Sequence, residues 1–281
     1  MKLSDLKTSF VAALSSDYEF EELMSLFYQL IETFLGEHRF VLHLQPEYEV
    51  DESTAEKFKS ALEDLKSHIP IQYIVGTTEF LGLELKVNSS VLIPRPETED
   101  LILYLDSFIK SKKICNVLDI GTGSACIGLS LKKRLEEAEV HLMDVSSQAL
   151  EVAKQNALLN DLKVEFIQAD VLELKSLERT YDLIVSNPPY VRNLEKSEMN
   201  PNVLDHEPHL ALFVPDEDPL LFYRKIAMLS KDHLNSGGML CFEINEAFGA
   251  ATVDLLNELG YLEVQLINDR FGKHRIVSAI G

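Results

Sequence analysis

The sequence predicts an α/β protein: a largely parallel sheet flanked by helices, preceded by a small helical domain and a β-hairpin connector. Three observations predict it. From residue 116 onward, short apolar runs alternate with stretches of helical periodicity, the pattern of strand–helix–strand units. Residues 3–68 show helical spacing alone. Between them, the chain after Pro70 turns to period-two alternation around Gly82.

Taken in order, the helical domain spans residues 1–70. Leu23, Leu26, Phe27, Leu30, Ile31 and Phe34 recur at spacings of three and four. Further helical pieces are expected near residues 6–14 and 55–65, the latter with Asp51 and Ser53 as cap candidates. His38, His43 and His68 share no metal-ligand spacing and read as structural or solvated.

Residues 71–96 read as a hairpin and proline-rich linker. The hairpin is expected over 71–91, with its turn at Gly82. Pro94 and Pro96 hold the segment beyond it extended, so Arg95 is either an exposed linker residue or part of a cleft wall. Glu97 and Glu99 then fall in the first turn of a helix that buries Leu101, Ile102 and Leu105.

The sheet domain is expected over 97–281. Its first strand, 116–120, runs directly into Gly121-Thr122-Gly123-Ser124-Ala125 and a helix from Cys126. Glycines there permit a tight turn and close approach of a ligand to a helix amino terminus. Such a turn suits a dinucleotide, an adenosyl cofactor or simple close packing. The second strand ends in Asp144, where a carboxylate accepts both hydroxyls of a ribose or caps the helix beginning after Ser146. A third strand ends near Asp170 and Val171, beside the expected place of a cofactor's base. The fourth, 183–186, stops at Asn187-Pro188-Pro189-Tyr190, because proline cannot continue a central strand. There the Asn187 amide oxygen and the Pro188 carbonyl are two acceptors able to converge on one planar NH2 group, and Tyr190 adds a flat face. The long segment to Pro219 reads as a functional loop. Its His206, Glu207 and His209 look like metal ligands, but Pro208 denies them a helical zinc motif, and no metal is expected. A helix over 220–234, a turn at Gly237-Gly238, a strand ending in Glu243, a helix to Leu259 and two further strands complete the sheet.

Composition bounds the function. The 281 residues are 46% hydrophobic, enough for one large or two modest cores. Formal net charge is −20, with 8 basic against 16 acidic residues up to Pro96 and 18 against 30 after it. Neither part carries the basic excess that phosphate neutralisation demands of a nucleic-acid grip, so a basic polypeptide or cationic cofactor is the easier partner. No stretch approaches the length of a membrane span and the amino terminus lacks a secretory pattern, so a cytoplasmic location and no membrane partner are expected. Cys115, Cys126 and Cys241 sit in apolar runs and read as buried, reduced thiols.

Assembled, these residues resemble the class I S-adenosylmethionine-dependent methyltransferases, and among them the family that methylates the glutamine of peptide chain release factors. The resemblance covers nearly the whole chain and rests on residues 93–99 (IPRPETE), 119–124 (DIGTGS), 186–190 (SNPPY), Glu207-Pro208 with Ala211-Leu212, and Gly237-Gly238 with Glu243. It implies a seven-stranded Rossmann-like sheet with an antiparallel last strand, and S-adenosyl-L-methionine as cofactor. By resemblance, residues 121–125 lie against the methionine part, Asp144 holds the ribose, and Asp170 with Val171 borders the adenine. Asn187 is implied at both cofactor and substrate. Asn187, Pro188 and Tyr190 are the implied catalytic residues, and these with Pro189 and Arg95 line the substrate site. The substrate implied is the glutamine of a release factor's Gly-Gly-Gln motif, with the helical domain contributing recognition. Ala125 departs from the pattern, since many relatives carry a third glycine there. The alternative is an adenine N6 methyltransferase acting on DNA or RNA, because adenine presents the same planar NH2 and the Asn-Pro-Pro-Tyr tetrapeptide occurs there too.

Overall fold

The computed structural model describes residues 1–45 and 47–281. The chain divides into two compact units, residues 1–76 with 201–206, and residues 77–200 with 207–281.

In the first unit, α1 (Leu3–Leu14), α2 (Phe20–Leu35), α3 (Val41–Leu44), α4 (Glu52–Lys66) and α5 (Ile71–Val75) enclose one core. Phe27 packs between Phe10 and Phe58, with ring centroids 5.2 and 5.5 Å apart, at the centre of the stripe that the three-and-four spacing predicts. Asp51 caps α4 by accepting from Thr54 N at 3.0 Å. Residues 71–75 form a helix instead of hairpin strand. Pro70 precedes its first residue and Gly76 ends it in a left-handed conformation at φ +78°.

The second unit opens with the hairpin β1 (Thr77–Phe80) and β2 (Leu83–Lys86), then α6 (Pro96–Ser111). The sheet follows: β3 (Asn116–Ile120), α7 (Cys126–Arg134), β4 (Glu139–Asp144), α8 (Ser147–Leu159), β5 (Glu165–Gln168) and β6 (Tyr181–Ser186). The expected loop after Tyr190 is broken into short elements: β7 (Val191–Arg192), a 3-10 turn, α9 (Pro201–Leu204), which groups with the first unit, α10 (His209–Leu212) and β8 (Phe213–Val214). Then come α11 (Leu221–Lys231), β9 (Leu234–Glu243), α12 (Gly249–Glu258), β10 (Leu262–Asn268) and β11 (His274–Ile280). Gly237-Gly238 lies inside β9 as a bulge: Leu234 and Met239 both pair with β6, opposite Tyr181 and Leu183, and the surplus residues loop out.

The seven-stranded order is β10-β11-β9-β6-β3-β4-β5, parallel except for β11, which is antiparallel to both neighbours. Both faces are covered, so the central strands send apolar side chains to both. Val117, Leu183, Val185 and Cys241 face the core shared with α6, α7 and α8, while Leu118, Ile184, Leu240 and Phe242 face that of α11 and α12. Cys126 and Cys241 are buried; Cys115 is exposed, because it precedes β3 at the open amino end of the sheet. No helix among the described residues is long and apolar enough to cross a membrane.

Candidate active site

Strand order reverses direction between β3 and β6, and the carboxyl ends of strands at such a switch point form a crevice. Ile120 stands opposite Ser186, so Gly121 and Asn187 leave the sheet side by side, and Ser186 Oγ donates to Ile120 O at 2.6 Å beneath them. A cavity of about 380 Å³ opens there.

The glycine turn forms one wall. Gly121 and Thr122 each donate a backbone N–H to Met143 O, at 2.8 and 3.0 Å, which pins the turn to β4. Gly121 and Gly123 have φ of +74° and +54°, and a Cβ on Gly123 would point into open space. Ala125 adopts φ +67° with its methyl fully buried. Asn156, in the apolar stripe of α8, donates to Ser124 O at 2.9 Å and exchanges two hydrogen bonds with the backbone of Lys86. It ties the turn to the hairpin. Its only signal in the sequence is a polar residue at core spacing in α8.

Asp144 ends β4. Its two oxygens accept from Gly123 N and Ser146 N, both at 2.9 Å, while Ser146 itself caps α8 by accepting from Ala149 N. Asp144 is therefore not the helix cap, and its carboxylate keeps lone pairs free on the cavity side. Burial pushes its pKa up, against the pull of those backbone N–H groups. Beneath the turn, Asp119 accepts from Thr122 Oγ1 and Gly128 N, and its Oδ1 has no partner. Desolvation raises this carboxyl to about 7.

Asp170 and Val171 line the far end, beside Leu172 and, from α11, Phe222 and Ile226. Those α11 side chains were not expected from the sequence; their spacing of four is indistinguishable from core packing. Asn187, Pro188 and Pro189 line the near end, and Asn187's side chain forms no hydrogen bond within the chain among the described residues. Tyr190 is not in the cavity wall. Its ring packs toward the α11–α12 core and its hydroxyl donates to Glu243 Oε1 at 3.4 Å.

Arg95 does line the cavity, but its guanidinium is committed to Glu207 at 2.5 Å, a carboxylate 1% exposed that also accepts from Ile93 N. The pair joins the proline-rich linker to the segment before α10. His206 bonds Ser67 O. Neither His206 nor Glu207 is placed as a metal ligand.

The donor set fits S-adenosylmethionine. An open glycine cradle, a carboxylate with free acceptors and an apolar slot for a flat base stand in one cavity, in the order methionine, ribose and adenine require.

Comparison with known proteins agrees. Residues 8–76 match the PrmC N-terminal domain and residues 102–206 the methyltransferase small domain. The release factor glutamine methyltransferase of Flavobacterium psychrophilum is 45% identical, over 99% of this chain and 98% of its own. That of Bacteroides thetaiotaomicron is 49% identical, over 76% and 77%. A methyltransferase structure from Pyrococcus furiosus shares the fold, with TM-score 0.52 and 21% identity over 71% of this chain and 89% of that one. Fold and site define a class I methyltransferase that uses S-adenosylmethionine. The chain belongs to the release factor glutamine methyltransferase family.

Proposed function

We infer that this protein methylates the side-chain amide nitrogen of a glutamine in peptide chain release factors, the glutamine of their Gly-Gly-Gln motif. The observation that carries the reading is that Asn187 and Pro188 stand in the same cavity wall as the glycine turn and Asp144, with the Asn187 amide uncommitted. The bound cofactor supplies an electrophilic methyl group on a sulfonium. The residues supply placement. An amide nitrogen is a poor nucleophile because its lone pair is delocalised into the carbonyl. When the Asn187 side-chain oxygen and the Pro188 carbonyl each accept one of its N–H groups, its orientation is fixed, and positioning of this kind lowers a barrier by about 7 to 11 kcal/mol. The nitrogen gains positive charge during transfer, so the same acceptors hold the transition state more tightly than the ground state. No base is needed during transfer itself: methylation at nitrogen gives the amide as its N-protonated cation, a strong acid that afterwards loses that proton to solvent.

Glu207 neutralises Arg95 and so keeps the cavity wall acidic overall, which suits a cationic cofactor. The helical unit, residues 1–76, is assigned to release-factor recognition, because every cofactor-lining residue lies in the second unit. A role in translation termination places the protein in the cytoplasm. The test is to incubate the protein with labelled S-adenosylmethionine and purified release factor and to locate the label by mass spectrometry. Label on the glutamine side chain is expected; label on nucleic-acid adenine with none on the factor overturns the reading.

A further inference from the structure

Glu243 ends β9 one position beyond Phe242, which pairs with Ser186, and so stands at the same level of the sheet edge as Asn187. It is 1% exposed. Burying a carboxylate is costly unless its oxygens are satisfied, and an apolar residue could fill the space without that cost. Its partners show what the carboxylate does there. Oε2 accepts from Thr98 Oγ1 at 2.7 Å, and Thr98 is a cavity-wall residue in the first turn of α6. Oε1 accepts from Tyr190 Oη at 3.4 Å. The next residue but one, Asn245, donates from Nδ2 to Tyr190 O at 3.3 Å, so the end of β9 grips Tyr190 by both its hydroxyl and its backbone. Arg275 on β11 and Glu97 on α6 are the charged groups that act on this carboxylate, in opposite directions.

We propose that Glu243 is a positioning residue for methyl transfer: by hydrogen-bonding Thr98 and Tyr190 at once, it fixes the Asn187-Pro188 acceptor pair relative to the part of the cavity wall that Thr98 lines. The proposal rests on the glutamine-methylating reading and deepens it. Glu243 does not itself line the cavity. It sets the distance and angle that an in-line transfer needs, and a misplacement of about 1 Å from a remote change costs on the order of 10²-fold in rate.

The test uses the full chain, release factor as substrate and five variants: Glu243→Ala, Glu243→Gln, Thr98→Val, Tyr190→Phe and the double variant Glu243→Ala with Thr98→Val. Rates are normalised to cofactor-binding sites counted by calorimetry, so that unfolded protein does not enter. Glu243→Ala is expected to lower kcat about 10²-fold, with the KM for release factor and the cofactor dissociation constant within about threefold of wild type. Glu243→Gln keeps an acceptor for Thr98 and offers an NH2 to the Tyr190 hydroxyl, which can accept; it is expected to restore kcat to within about tenfold of wild type. Adding Thr98→Val to Glu243→Ala should cost little more than Glu243→Ala alone, because the two act through one contact. Wild-type kcat in Glu243→Ala overturns the proposal, as does loss of cofactor binding in step with kcat, which marks a structural role. Should Glu243→Ala fail to fold, Thr98→Val and Tyr190→Phe carry the test, and wild-type kcat in both overturns it. A wild-type protein that labels no release factor overturns instead the reading beneath it.

Discussion

No hydrogen bond from the chain engages the side chain of Asn187 among the described residues, so on the proposed mechanism both its oxygen and its NH2 are open to the loaded site. Asn187→Ala removes the oxygen, and loss of one preorganised polar contact to developing charge costs about 10²- to 10³-fold in rate. Asn187→Asp retains the oxygen and adds charge but loses the donor, so turnover is expected to rank wild type, then Asp, then Ala. Single-turnover rates at saturating cofactor check this order; alanine reacting as fast as asparagine removes the acceptor mechanism. Asp144 yields a pH dependence. Its carboxyl titrates above the ordinary aspartate range because it is buried, and in the proposed ribose-binding role the ionised form is the one that accepts from both hydroxyls. Cofactor affinity is therefore full at high pH and lost as pH falls through that raised pKa, sooner than an exposed aspartate would allow. Asp144→Ala should cost about 1.5 to 3 kcal/mol at neutral pH and abolish this acid limb. Calorimetric titration across pH reads both effects.

The glycine turn works because α7 is pressed against the sheet behind it. A Cβ on Gly128 would come within 2.1 Å of Leu142 Cδ2 and 3.0 Å of Asp119 Oδ2. Helix propensity alone favours alanine at that position by about 1 kcal/mol. Overpacking typically costs about 1 to 3 kcal/mol, and the Leu142 side chain that would have to move is fully buried. Packing should win, so Gly128→Ala is expected to destabilise the protein in urea denaturation despite improving its helix. At this scale much was legible in the sequence. Periodicity located the strands around the crevice, and proline and glycine marked where β6 and β3 stop. What escaped was whatever depended on a distant partner. Residues 71–75 were expected within the hairpin but fold as helix, and Gly237-Gly238 looks like a turn yet is accommodated within a strand. Tyr190 shows the same dependence: its hydroxyl donates to Glu243 and its backbone carbonyl accepts from Asn245, 53 and 55 residues on. Cys115 shares an apolar run with Ile114, but only the sheet's open end shows that it is exposed.

Across the whole molecule, a net charge of −20 sets a field that extends beyond any single contact. If release factors present a basic surface to it, docking is screened by salt, with a Debye length of about 10 Å at 0.1 M. The KM for release factor should then rise with ionic strength while kcat changes little; a KM indifferent to salt places recognition in shape and apolar contact instead. The segment 201–206 bears on how such a protein can be assembled in evolution. It is encoded between parts of the catalytic unit yet belongs to the helical one, where His206 Nε2 bonds Ser67 O at 2.8 Å. The two units are thus not separable exons in waiting. A recombination event at residue 76 would carry the helices away and strand six residues that belong with them. Exchange of the helical unit between relatives would have to transplant two stretches of gene together.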